Sequence, residues 1–528
     1  MTGINKWTNG ISLTWDGPPG YYQVFEKSNS LLAAWVPLGK ATNLNRNATI
    51  TKIYSDAFFH VSGPAPKYAG ANICLTCHSS VCQYVTNTPH FNAFNSLAFK
   101  AAGGQTNNSC LACHTVGFGL TTGFGFTNKN GNFSYTTNLA GVQCENCHGP
   151  AGNHAVAPDD PTAVPRVEIA ATLCGGCHTG TMQPTYEEWH SSEHATVTPQ
   201  VLSAMSSSTN NINNCGACHS GSARLAFING RNPAATLTND FNVAVTCVVC
   251  HDPHATNSVP AQLRNPLNST NDFQLLSSDL ASVNAFTNKY YSNTNINLCA
   301  QCHNDRGAAW TDTSRAPHNS PQYNYLLGSV GEFQSGSATF NPGPHSGLPS
   351  SANGSISGTF YLTNQCADCH LQPDAAPATT HSHKFTATYV VCSNCHDGHA
   401  AQAFFTPYLS NQVASVISGL NRWANTKAPA SLHTNGVVAW EYTTPGGLTW
   451  TNNASGNVQS WTLSVPPNFT GPNASGQALL QTNYPNIMKA RFDLYLVLND
   501  GSFGVHNPFY ALNLLSAAQS FIIIELNK

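Results

Sequence analysis

Eighteen of the 19 cysteines fall into one pattern, Cys-x-x-Cys-His, and the pattern occurs nine times. The first five copies are Cys74, Cys77 and His78; Cys110, Cys113 and His114; Cys144, Cys147 and His148; Cys174, Cys177 and His178; and Cys215, Cys218 and His219. The last four are Cys247, Cys250 and His251; Cys299, Cys302 and His303; Cys366, Cys369 and His370; and Cys392, Cys395 and His396. This is the spacing of covalent haem attachment. Two thiols three residues apart add to the two vinyl groups of one porphyrin, and the adjacent imidazole ligates its iron. Paired Cys-x-x-Cys zinc sites do not need a histidine after every second cysteine. A disulfide framework would not hold every spacing equal, and a thioredoxin-like motif would occur once, within a βαβ pattern. The reading is nine c-type haems, covalently attached, with the motif histidines as proximal iron ligands.

The axial ligands on the far faces must come from elsewhere. The chain has four Met, one of them Met1, so His/Met ligation of nine irons is impossible. Bis-histidine ligation and low potentials are the expectation. No motif ends in Lys, which removes one sign of a catalytic haem. Thirteen histidines lie outside the motifs: 60, 90, 154, 190, 194, 254, 318, 345, 381, 383, 399, 433 and 506. His254 and His399 each follow a proximal histidine by three residues, and His154 follows His148 closely. None of the three reaches round to the far face of its own porphyrin. Each is placed to ligate the next haem, which forces two porphyrins together.

Haem changes the charge balance. Charged residues are 9% of the 528, against about 25% in ordinary soluble proteins. The formal charge is −3, with no Lys/Arg run, which excludes a nucleic-acid footprint. Two propionates per haem carry the total to about −12 oxidised and about −21 reduced. With only 21 Lys and Arg, backbone amides, Asn, Ser and Thr are left to satisfy many propionates. No apolar stretch of 18 residues is read, and Phe521–Ile524 is too short, so no transmembrane segment is expected. Met1–Lys6 lacks the apolar region of a signal peptide. Attachment by this motif takes place outside the cytoplasmic membrane, so export and a leader ahead of this numbering are expected.

Three regions follow. Residues 1–63 carry no Cys and alternate like strands at Ile11–Trp15, Tyr21–Lys27, Trp35–Leu38, Thr49–Tyr54 and Phe58–Ser62. They resemble a shortened fibronectin-III-like β module, or form a generic β extension on the first haem. Residues 64–400 form the nine-haem core, with short helices at the motifs and long loops; 304–365, rich in Gly, Ser and Pro, reads as loop. Residues 401–528 form a β/α segment packing on the core. Within it Val437–Trp461 reads as β ribbon, and Gln477–Leu498 and Pro508–Phe521 as helices separated by Asn499-Asp500-Gly501-Ser502. The fold class is a mostly irregular/α protein with low regular secondary structure, a small N-terminal β module, and a C-terminal β ribbon plus helices.

The spread motifs and the C-terminal helical pair resemble the multihaem c-type cytochrome superfamily. That resemblance bears on the distal ligands. Thr88-Pro89-His90, Trp189-His190-Ser191-Ser192-Glu193-His194, Arg315-Ala316-Pro317-His318 and His381-Ser382-His383-Lys384-Phe385 look like its distal-ligand segments. Gly504-Val505-His506-Asn507-Pro508 resembles the ligand segment before its C-terminal helix. With His345, the nine distal choices are His90, His154, His194, His254, His318, His345, His383, His399 and His506. His190 and His381 are the substitutes for His194 and His383. His60 reads as structural and His433 as a surface residue. Cys82, the odd thiol, sits four residues after His78 and reads as buried and inert, with an intermolecular disulfide or a haem contact as alternatives.

The resemblance implies long-range electron transfer rather than substrate chemistry, on an exported protein that is extracellular or at the cell surface, with the periplasm as alternative. In architecture the chain resembles extracellular cytochrome filaments, which implies partners among other copies of itself, redox proteins and extracellular acceptors. The alternative is a multihaem oxidoreductase acting on nitrogen or sulfur oxyanions at one open haem. No catalytic residue is assigned.

Overall fold

The computed structural model describes residues 3–7, 10–14, 21–28, 36–42, 47–50, 57–62, 67–160, 163–181, 183–236, 243–255, 260–264, 273–275, 286–288, 298–313, 315–338, 341–346, 366–372, 382–387, 392, 398–433, 438–442, 447–452, 458–464 and 471–528. The chain divides into two compact units, Met1–Tyr186 with Cys250–Arg264, and Glu187–Val249 with Asn265–Lys528. Short helices, a set of longer C-terminal helices and small antiparallel sheets make up the described secondary structure.

In the first unit, strands Gly3–Trp7, Gly10–Thr14 and Asn47–Ile50 form one antiparallel sheet, and Tyr21–Ser28 stands between Val36–Thr42 and Ala57–Ser62 in another. Helices of one or two turns carry the motifs, at Ala71–Cys77, Asn108–His114, Cys144–His148 and Ala171–Gly175. So short a helix is marginal alone, and side chains from other segments hold these in place. The carboxylate of Glu145, inside the third motif, accepts from the amides of Ala69 (3.0 Å), Gly70 (2.8 Å) and Ala151 (2.8 Å). Gln143 accepts from Ala71 N at 2.8 Å. The amides of Ala69, Gly70 and Ala71 lie at the start of helix Ala71–Cys77 and that of Ala151 at the start of helix Gly152–Val156, where a negative charge is favourable. The first and third motifs are thereby tied together. Phe94, Phe99, Leu111, Phe124 and Leu139 form a small core beside the second motif. The hairpin Phe126–Lys129/Asn132–Tyr135 turns on Asn130-Gly131, both at positive φ (54° and 86°), as a two-residue turn requires.

In the second unit, helices Pro199–Ser207, Thr209–His219 and Gly221–Ile228 start on Thr198, Ser208 and Ser220, whose hydroxyls accept from the amides of Val201, Asn211 and Ala223. The main core is built by Gly398–Thr426, Ala474–Asn483, Pro485–Asp500 and Pro508–Leu526. On the 29-residue helix Gly398–Thr426, absent from the sequence reading, Leu409, Val413, Val416, Leu420 and Trp423 form a buried stripe. The single helix expected over Gln477–Leu498 is two, because Pro485 opens a new helix after Tyr484. The interval 304–365, read as loop, contains helix Gln322–Leu326 and hairpin Glu332–Phe333/Gly336–Ser337, with Tyr323 and Tyr325 buried. Among the described residues one helix, Pro508–Leu526, is long and apolar enough to cross a membrane, which corrects the sequence reading that stopped at Phe521–Ile524. Leu514, Leu515, Ala518, Phe521 and Ile522 on it are buried in the core.

That core also encloses charge. Arg491 donates to the carbonyls of Trp440 and Glu441 (both 3.0 Å) and to Gln477 Oε1 (2.7 Å), and lies 3.9 Å over the Tyr442 ring. Tyr495 donates its hydroxyl to Glu441. Burial outweighs these partners and pushes the Glu441 carboxyl up to about 7 from 4.5. The unfolded chain therefore loses this proton first as pH rises, so stability falls between about pH 4.5 and 7 and is level above. The predicted loss is about 3 kcal/mol, and Glu441→Gln should abolish it, as read by urea unfolding at the two ends of that window.

Candidate functional site

Nine motifs in a chain this short bring their thiols close. In the first unit the thiols of Cys74 and Cys144 are within hydrogen-bonding reach, as are those of Cys113 and Cys177. Cys147 stands near Cys174. In the second unit Cys218 meets Cys302, and Cys299 meets Cys366. The first motif thus neighbours the third, the third the fourth and the fourth the second; the seventh neighbours both the fifth and the eighth.

Six proximal histidines face a second imidazole. The pairs and their ring-centre separations are His78 and His154 (6.3 Å), His90 and His178 (5.8 Å), and His148 and His254 (6.0 Å) in the first unit. In the second they are His194 and His303 (6.2 Å), His219 and His318 (6.0 Å), and His370 and His506 (6.2 Å). Two iron–nitrogen bonds of about 2 Å, each with about 1.1 Å from nitrogen to ring centre, make about 6.2 Å. The gap between the rings in every pair fits one iron.

The protons are also arranged for ligation. Opposite a carbonyl or carboxylate, an imidazole nitrogen must be the protonated one, so the other keeps its lone pair. Nδ1 of His148 donates to Arg166 O (2.7 Å), that of His251 to Ala261 O (2.9 Å) and that of His370 to Phe385 O (3.0 Å). His318 Nδ1 donates to Ser320 Oγ (3.0 Å), whose own proton goes to Asn304 O, and His506 Nδ1 donates to Asp500 Oδ1 (2.6 Å). Burial holds most of these rings neutral: His194 and His318 are pushed down to about 4, and His90, His254, His303 and His370 also fall. The Arg306 guanidinium adds to the fall at His219 and His318. The residues fit haem iron.

Other histidines stand differently. His114 stacks on Phe99 at 4.2 Å. His345 donates Nδ1 to Val505 O, and the His383 amide donates to Glu188 (2.8 Å). His190 and His433 are exposed. Cys395, His396 and His381 lie outside the described residues, as do the side chains of His60 and His399. Cys82 is buried near Cys144, and burial pushes its thiol up to about 11. Two residues that the motifs do not signal, Asp500 and Phe385, hold ligand-candidate rings.

The family model described as cytochrome c554 and c-prime matches residues 73–149, which contain the first three motifs. The undecahaem cytochrome from the S-layer of Carboxydothermus ferrireducens superposes with a TM-score of 0.52 at 17% identity, over 88% of this chain and 70% of that one. The outer cell wall cytochrome OcwA superposes with a TM-score of 0.51 at 18% identity, over 86% of this chain and 99% of that one. The fold is that of a multihaem c-type cytochrome. No curated protein matches. Covalently attached c-type haem is the cofactor of this multihaem cytochrome fold.

Phe385 touches ligand candidates of two motifs. Its backbone is left-handed (φ 58°), its carbonyl holds His370, and its ring meets His194 edge-on at 4.5 Å. Phe385→Gly keeps the carbonyl and relieves about 1 kcal/mol of backbone strain, but frees the His194 ring. The expected outcome is a shift in the g-values of one low-spin haem in the EPR spectrum, with haem content unchanged.

Proposed function

We propose that this protein carries electrons over long range through nine covalently attached haems, most of them ligated by two histidines. The observation that carries the reading is the set of six imidazole pairs, interlocked with the motifs. His154 lies six residues from His148 yet stands opposite His78, and His254 lies three residues from His251 yet stands opposite His148. A chain segment that ligates one iron therefore also attaches the next haem. Each haem, when bound, supplies an iron that cycles between ferric and ferrous. The protein's part is to clamp each porphyrin, close both iron faces and hold neighbours in contact. His345, His383 and His399 complete the distal set in this reading, and His396 ligates the ninth iron.

Export and a place at or outside the cell surface follow from the attachment chemistry, and the S-layer and outer cell wall settings of the two similar structures support them. Assembly into a filament or tight oligomer is supported by the histidine count: the chain has 22, and nine irons with two each use 18, so four are left to offer a neighbouring copy. Low charge density also weakens repulsion between copies. The same surplus favours a second reading, an oxidoreductase in which a spare histidine delivers protons at an open iron that acts on nitrogen or sulfur oxyanions.

Intact mass should show nine haem additions. EPR of the oxidised protein should show only low-spin iron that cyanide does not perturb, and electron microscopy should show polymers of the chain. An iron that is high-spin in every state and binds cyanide or hydroxylamine would support the oxidoreductase instead. Single particles with no polymers under any assembly condition would overturn the filament reading.

A further inference from the structure

The turn after helix Pro485–Asp500 folds back onto the helix's last residue. Gly501, at φ 71°, ends the helix in the left-handed conformation. Ser502 donates its amide (3.3 Å) and its hydroxyl to Asp500 Oδ2, and its oxygen accepts from His506 N at 3.1 Å. The other carboxylate oxygen of Asp500 accepts from His506 Nδ1 at 2.6 Å, and the Asp500 side chain is fully buried. The His506 ring faces His370 at 6.2 Å. The Nδ1 partners of three other paired rings are uncharged oxygens: Arg166 O for His148, Ser320 Oγ for His318 and Phe385 O for His370.

A carboxylate that accepts the Nδ1 proton pushes electron density through the ring onto Nε2. A more basic ligand stabilises ferric over ferrous iron, and a buried negative charge does the same with little screening. In the same unit the cation of Arg306 stands by His219 and His318, where it favours the ferrous state. The thiol contacts Cys218 to Cys302 and Cys299 to Cys366 order the three motifs as fifth, seventh and eighth.

We propose that Asp500 sets the potential of the haem held between His370 and His506, making it the lowest of the three whose imidazole pairs lie in this unit. Electrons entering at the eighth motif then run downhill through the seventh to the fifth. This rests on the reading of His370 and His506 as one iron's axial ligands.

The test is a potentiometric titration of the haem-loaded, full-length protein with Asp500→Asn, Ser502→Ala and His506→Ala variants. Asp500→Asn should raise one low midpoint by about tenfold in the ferric/ferrous equilibrium, 59 mV for one electron, and leave the others in place. Ser502→Ala strips a donor from the carboxylate, strengthens its hold on His506, and should move the same midpoint down. His506→Ala should turn one iron high-spin. If it does not, the ligand assignment fails and the proposal with it. If it does, and neither Asp500→Asn nor Ser502→Ala moves a midpoint, only the role of Asp500 is overturned. Should Asp500→Asn lose haem, the Ser502→Ala shift decides, and its absence overturns the proposal.

Discussion

An imidazole binds iron only through a deprotonated nitrogen, and two imidazoles on one iron must meet it from opposite faces. Burial serves the first requirement, holding rings such as His194 and His318 neutral. Carbonyls at Nδ1 serve it again by fixing the tautomer at His148, His251 and His370. The second requirement is long-range, and it dictates how the chain is wound. A segment that offers His90 to His178, or His506 to His370, has to cross between motifs far apart in sequence. Short helices, buried polar anchors such as Glu145 and the packed core around Pro485–Asp500 exist to hold those crossings.

The protein part supplies less core of its own around the motifs than in the C-terminal helices. There Trp423, Leu480, Leu494 and Leu514 interlock as in an ordinary helical domain, and the turn Gly501–Asn507, which carries His506, is anchored between two of its helices. Asn507 reinforces the anchor by donating to the carbonyls of Leu326 (3.2 Å) and Asn341 (3.0 Å). A rigid support of this kind is what a ligand pair needs if its geometry, and hence its potential, is to be defined.

Chemistry was more legible in the sequence than architecture, for a physical reason. Haem attachment is local: two thiols and an imidazole within five residues announce it. Distal ligation is not local, and spacing alone leaves open which iron a histidine reaches. His154, His254 and the segment choices His90, His194, His318 and His506 each meet a motif imidazole. Asp500 was visible only as part of a helix stop, because nothing in Asp-Gly-Ser says that the turn will close on His506. The stripe Leu409, Val413, Val416, Leu420 and Trp423 is readable at helical spacing. The burial of Tyr323 and Tyr325 is not, since the Gly, Ser and Pro around them look like loop and only tertiary packing decides otherwise.

The central claim is that these histidine pairs are the two axial ligands of individual irons. Near-infrared magnetic circular dichroism of the oxidised protein reads the axial ligands of each low-spin ferric haem from the energy of its charge-transfer band. The account predicts a bis-imidazole band with the intensity of at least six irons. A spectrum dominated by histidine–methionine or high-spin iron would contradict it.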